Sequence, residues 1–139
     1  GRATTPELAR DLAAFKARVR TAWPAVRVEH VDSSGLSDSP QVGDQMSVRA
    51  VAFIDGLAPE DVQVQVVHGR VSPEDLITDF VVQDLQYAGP ADNDPADGRH
   101  VFEGHLTLRR TGPFGYTVRV LPRHEGLVAP AELGLVTNA

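Results

Sequence analysis

Five histidines, nineteen carboxylates and a knot of serines are what this 139-residue chain offers for building a reactive centre. The histidines are His30, His68, His100, His105 and His124. A zinc site on a helix sets two imidazoles four residues apart on one face, and no pair here has that spacing. His100 and His105 are five apart, so a regular strand aims them to opposite faces. Ligation would need several strands to converge; surface or hydrogen-bonded imidazole is the stronger reading, and no metal ligand is expected. Ser33, Ser34, Ser37 and Ser39 crowd one stretch with Asp32 and Asp38, but no G-x-S-x-G elbow is present. Serine and aspartate at that density make turns. Glu60-Asp61 and Glu74-Asp75 each follow a proline, as the first turn of a helix or a tight turn requires. Nothing sets two carboxyls across a cleft as glycoside hydrolysis demands.

Phosphate and calcium chemistry fare no better. Gly112-Pro113-Phe114-Gly115 is a turn without the lysine and helix of a phosphate loop. Asp92 to Asp97 holds three aspartates but lacks the closing glutamate of a calcium loop, and reads as a solvated hairpin tip. Sugar recognition remains, since sugars dock on exposed aromatic faces beside amides and carboxylates. The chain has five Phe, two Tyr and one Trp. Phe15 and Trp23 fall on a helical stripe, while Phe53, Phe102 and Tyr116 fall at core-like positions. Tyr87 and Phe114, with Phe80, are the candidates left for sugar contact. Tyr116, near the start of a late strand, suits a corner tie in which its hydroxyl bonds nearby backbone. No catalytic and no cofactor-binding residue is assigned.

The elements that must position these groups begin with one helix. Thr5 suits the N-cap, Pro6 the first helical position and Glu7 the positive end of the dipole. Leu8, Leu12, Phe15, Val19 and Trp23 recur at spacings of four and three, one apolar stripe. Pro24 ends the helix near Ala22 or Trp23. From Val26 the period becomes two. Val26–Val31, Met46–Phe53, Val62–Val67, Val81–Tyr87, Val101–Leu108 and Tyr116–Leu121 read as strands, with Ser72–Phe80 irregular or a short helical turn. The strands at 81–87 and 101–108 frame a hairpin with a mobile acidic tip. Gly104 shares the inward face of Phe102 and Leu106, the mark of a bulge or a close neighbour. The tail beyond Glu125 is apolar but unpatterned, and is expected to lie against a surface. The fold expected is mainly β: an antiparallel immunoglobulin-like or fibronectin-like β-sandwich preceded by one N-terminal helix. Residues 1–24 are the helix and a junction, 25–124 the sandwich, and 125–139 a tail.

Composition narrows the partners. A net charge of −6 disfavours nucleic acid, which wants a basic stripe, and disfavours anionic membranes. There is no cysteine, so neither disulfides nor thiolate metal sites exist, which favours the cytoplasm. The start at Gly1 fits a tag remnant on a piece of something longer, and equally the removal of a Met.

The chain also resembles a known family. Leu12-Ala13-Ala14-Phe15-Lys16-Ala17-Arg18-Val19-Arg20, Trp23-Pro24 and Val26-Arg27-Val28-Glu29-His30-Val31 carry the likeness. So do Pro40-Gln41-Val42-Gly43-Asp44 and Val64-Gln65-Val66-Val67-His68-Gly69-Arg70. Its most specific part is Arg110 to His124, with Thr111-Gly112-Pro113-Phe114-Gly115-Tyr116, then Pro130 to Leu135. In these stretches the chain resembles the C-terminal end of the long actinobacterial α-glucan (glycogen/maltodextrin) phosphorylases. The resemblance implies a parent enzyme that uses phosphate to release glucose 1-phosphate from α-1,4-glucan, with pyridoxal phosphate on a lysine of a doubly wound lobe. This chain departs from that lobe: its one lysine, Lys16, sits on the expected helix, and no phosphate loop is present. The resemblance therefore implies a non-catalytic accessory sandwich with a structural, interdomain or assembly role, whose partner is the preceding catalytic domain. A second copy of the parent is a further candidate partner. Two alternatives stay open at this point: a glucan-binding module using Tyr87, Phe114 or Phe80, and an unrelated Ig-like interaction module.

Overall fold

A computed structural model of the chain describes residues 6–36, 41–109, 114–127 and 133–139. Helix α1 (Pro6–Ala22) spans the apolar stripe and buries Phe15 and Val19. Its proposed cap, Thr5, lies outside the described residues. Pro24 turns the chain into a 3-10 turn, Trp23–Ala25, closed by Val26 N–H donating to the Trp23 carbonyl at 2.9 Å.

Eight strands follow among the described residues: β1 (Arg27–Ser34), β2 (Gln45–Phe53), β3 (Val62–Val71), β4 (Ile77–Asp84), β5 (Gln86–Pro90), β6 (Arg99–Thr107), β7 (Phe114–Pro122) and β8 (Thr137–Asn138). They form two antiparallel layers, β1-β2-β6-β5 and β4-β3-β7-β8. That order is the immunoglobulin-type layout. The alternation in β2 and β3 explains the core. Met46, Val48, Ala50 and Ala52 turn inward on one layer; Val62, Val64 and Val66 do so on the other, and all are buried. Val118, Val120 and Leu106 complete the interior. Each of these valines, Met46 and Leu106 contributes about 1.5–3 kcal/mol by leaving water, and the two alanines less.

The helix closes one end of the sandwich. Phe15, Val19 and Trp23 join the same core cluster as the strands. The Phe15 ring lies 4.8 Å from the His124 ring, and Arg18 Nη2 donates to Asp61 Oδ1 at 3.1 Å. Ala22 packs so near Gly56 that a Cβ at 56 would lie 3.3 Å from its methyl.

Several expectations need correction. Residues 81–87 are not one strand of a hairpin with β6. The chain changes layers at Leu85: Gln83 pairs with Val66 of β3, whereas Gln86 pairs with Glu103 of β6. Leu85 is 3% exposed and its N–H donates to the Val64 carbonyl at 2.8 Å. The alternation runs unbroken through the switch, so the pattern alone shows no break. Gly104 is the close neighbour expected, because a Cβ there would sit 2.8 Å from Leu85 Cδ2. Ile77–Phe80 is strand rather than irregular. Asp79 takes φ 48° and the register slips between His68 and Arg70, a bulge that disrupts period two. Phe53 is not in the core. It faces outward under two guanidiniums, Arg27 at 4.2 Å and Arg99 at 5.6 Å from its ring centre. Glu29 joins those arginines at 2.8 Å and 2.5 Å, and their hydrogen bonds, Arg99 first, hold its carboxyl below the usual range. The tail is patterned at its end: Thr137 pairs with Val120, and Leu127, Leu133 and Leu135 pack on the core. No described helix is long and apolar enough to cross a membrane.

Candidate functional site

The layer switch that the pattern hides also makes a site. β3 is paired by β7 from Val62 to Arg70. On its other side β4 pairs only from Gln65 onward, because the chain leaves for the opposite layer at Leu85. Val62 and Gln63 thus have no strand beside them there. A cleft of about 130 Å³ fills the notch, floored by Val62, Val64, Leu85 and Phe102. Gln63, Gln86, Tyr87, Pro59 and Arg123 form its rim.

Tyr87 is held by its neighbours. Its ring lies 5.5 Å from Phe102, its cross-strand partner, and its hydroxyl is 2.9 Å from His100 Nδ1. Tyr87 remains 45% exposed while His100 is only 6% exposed. Burial pushes the His100 imidazole below its ordinary 6.5, and the nearby Glu60 charge pulls the other way. Burial also pushes the Tyr87 hydroxyl above its ordinary 10.0, with Glu60 adding to it. Either the Tyr87 hydroxyl donates to Nδ1 or, in the other tautomer, Nδ1–H donates to the hydroxyl oxygen. Arg123 reaches the Glu60 carbonyl and Gln63 Oε1, both at 3.4 Å, the outer limit of hydrogen bonding.

The structure does not bring the three candidate aromatics together. Phe80 lies on the β4 edge, 60% exposed. Phe114 begins β7 and is half-buried between His68, ring centres 6.0 Å apart, and Tyr116 at 6.3 Å. Tyr116 is itself half-buried against the core, opposite His68 in the ladder. Tyr87 alone stands beside a polar cleft. Sequence reasoning missed its companions Gln63, Gln86 and Arg123. Their one signal was polar side chains flanking buried valines, which a solvated face also gives.

Other groupings carry less chemistry. Asp32, Ser33, Ser34, Ser47, Arg49, Glu103 and His105 line an open dish of about 250 Å³. Within it Ser47 Oγ lies 3.1 Å from His105 Nδ1. A nucleophilic serine needs an imidazole oriented by a third group, and His105 has no carboxylate partner among the described residues. No three His, Asp or Glu side chains converge for a metal among the described residues. His30 meets Asp32 at 2.9 Å, and His124 Nδ1 accepts from Gly126 N–H at 2.9 Å. Ser37, Ser39, Gly112 and Pro113 lie outside the described residues. A wider apolar groove, about 530 Å³, runs between α1 and the turn after β2, lined by Ala17, Arg18, Thr21, Ala22, Ala25, Asp55 and Gly56.

Pyridoxal phosphate does not fit these residues. It requires a lysine within a phosphate cradle; Lys16, the one lysine, stands part-exposed on α1 and lines none of the three clefts.

Comparison with known proteins adds ancestry to this geometry. Glycogen phosphorylases of Mycobacterium tuberculosis (strain CDC 1551 / Oshkosh) and Mycobacterium bovis are each 44% identical over 133 residues, 96% of this chain. A maltodextrin phosphorylase of Thermococcus litoralis is 27% identical over 128 residues, 91% of this chain. The chain spans only 15% of the mycobacterial relatives' length and 14% of the archaeal one's. Among solved structures, Pseudomonas fluorescens alkylpurine DNA glycosylase AlkC bound to DNA aligns at TM-score 0.43 and 14% identity, over 94% of this chain and 36% of that one. The domain described as Glycogen phosphorylase C-terminal domain matches residues 23–139. The chain belongs to that family, the C-terminal domains of glycogen phosphorylases.

Proposed function

We propose that this domain is a non-catalytic appendage of a cytoplasmic α-glucan phosphorylase, with a structural and interdomain role. In the parent, a catalytic region holding pyridoxal phosphate precedes α1 and performs the phosphorolysis of α-1,4-glucan to glucose 1-phosphate. The observation that carries this reading is the seating of α1. It stands ahead of the family domain's first matched residue, Trp23, yet its Phe15 and Val19 are core residues of the sandwich. A helix fixed in that way transmits the position of whatever precedes it. Residues 1–24 serve as the junction, 25–124 as the sandwich and 125–139 as a tail folded back on it.

The same argument names a contact. The groove beside Ala17, Thr21, Ala22, Ala25 and Gly56 is apolar and floored by small side chains. Its occupant is the catalytic region of the same polypeptide, since the relatives are several times longer than this domain. Family membership sets aside the reading as an unrelated interaction module. Tyr116 keeps its proposed role as a corner tie of the sandwich. The direct test gives the isolated chain glycogen and inorganic phosphate and measures glucose 1-phosphate. No product above the blank is expected, and sustained turnover would overturn the reading. A second role, contact with glucan, is favoured by the Tyr87 notch alone.

A further inference from the structure

We infer that the notch at the layer switch is a subsite for a neutral pyranose at the end of a glucan chain, with Tyr87 as its platform and Gln63, Gln86 and Arg123 as its hydrogen-bonding rim. The class of ligand rests on the phosphorylase reading above; the site rests on the geometry. An aromatic face takes the apolar C–H face of a sugar ring, and planar amide and guanidinium groups take its hydroxyls. Tyr87 supplies the first at low entropic cost, because Phe102 and His100 already hold its ring and hydroxyl.

Size sets the pose. The cleft of 130 Å³ equals about four water volumes at ~30 Å³ each. It admits one hydroxylated edge of a terminal unit, not a whole ring, so the ring itself leans on the exposed face of Tyr87. Hydrogen bonding sets the class. Arg123 is already shared between the Glu60 carbonyl and Gln63 Oε1, both at 3.4 Å, and a neutral polyol exchanges these two long bonds for better ones.

The test titrates the 15N-labelled chain with maltoheptaose and follows amide shifts. Saturable shifts at Gln63, Gln86, Tyr87 and Arg123 in the millimolar range are expected. Tyr87→Ala should weaken binding about tenfold or more, the factor that ~1.4 kcal/mol of lost contact gives. Tyr87→Phe keeps the ring and should stay within about threefold; its spectrum also shows that the fold survives. Absence of shifts at these residues, shifts unaffected by Tyr87→Ala, or equal shifts from inorganic phosphate would each overturn the proposal. None of those results bears on the appendage reading, which is judged by glucose 1-phosphate release.

Discussion

Two adjacent openings at one end of this sandwich are treated in opposite ways. At one, α1 lays Phe15, Val19 and Trp23 into the core and His124 stacks on Phe15, so the opening is filled with apolar volume. At the other, the chain crosses between layers at Leu85 and leaves the start of β3 uncovered, so the opening stays polar and half-wet around Tyr87. The same alternation of side chains underlies both. The difference teaches that what fills an opening bears on its role: in the functions proposed above, packing at the helix serves stability and coupling, and the uncovered edge serves recognition.

The largest expected effect breaks the closed end. Phe15→Ala should cost about 3–5 kcal/mol, read as a fall in the urea midpoint at constant slope, because the cavity opens in the shared core. A loss below 1 kcal/mol would mean the helix is not seated there. Gly104→Val tests the switch itself, since its side chain must displace Leu85; about 1–3 kcal/mol is expected from overpacking, with the urea midpoint again the readout.

The two buried imidazoles, His68 toward the far end of β3 and His100 beside Tyr87, give a pH test of their burial. Burial lowers both His68, where Arg109 adds to the effect, and His100. The unfolded chain therefore binds these protons first. Stability should be full above the ordinary value of 6.5 and should fall as pH drops below it toward the lowered folded values. Each histidine adds a slope of up to ~1.4 kcal/mol per pH unit inside that window. His100→Gln should remove one share of the slope, and an unchanged slope in that variant would contradict the burial of His100. The smallest effect belongs to the notch: Tyr87→Ala should cost ~1 kcal/mol or less in stability, because the side chain is half-exposed, while it weakens sugar binding about tenfold or more.

Most of the sandwich was legible in the chain because valines at Val62, Val64 and Val66, and Val118 and Val120, alternate cleanly. The helix was legible to its end because Pro24 punctuates it. What failed to show was the choice of partner. Period two says that a strand has two faces and not which neighbour it pairs with, so Gln83 and Gln86 look alike although they belong to different layers. The site failed to show for the same reason. Tyr87 could be singled out as an unplaced aromatic, but Gln63 and Arg123 reach it only through tertiary pairing. Ile77–Phe80 stayed hidden because the Asp79 bulge breaks the alternation that marks a strand.

The central claim, that the helix end couples this domain to its parent, is tested most directly by Ala17→Arg. Ala17 lies exposed on α1 and lines the apolar groove. In the isolated domain the change should move stability by no more than about 0.5 kcal/mol, as for an ordinary helix surface. In the full-length parent, side-by-side thermal unfolding should show a clear fall in Tm and loss of any single shared transition between catalytic region and sandwich. Equal melting of parent and variant would contradict the account.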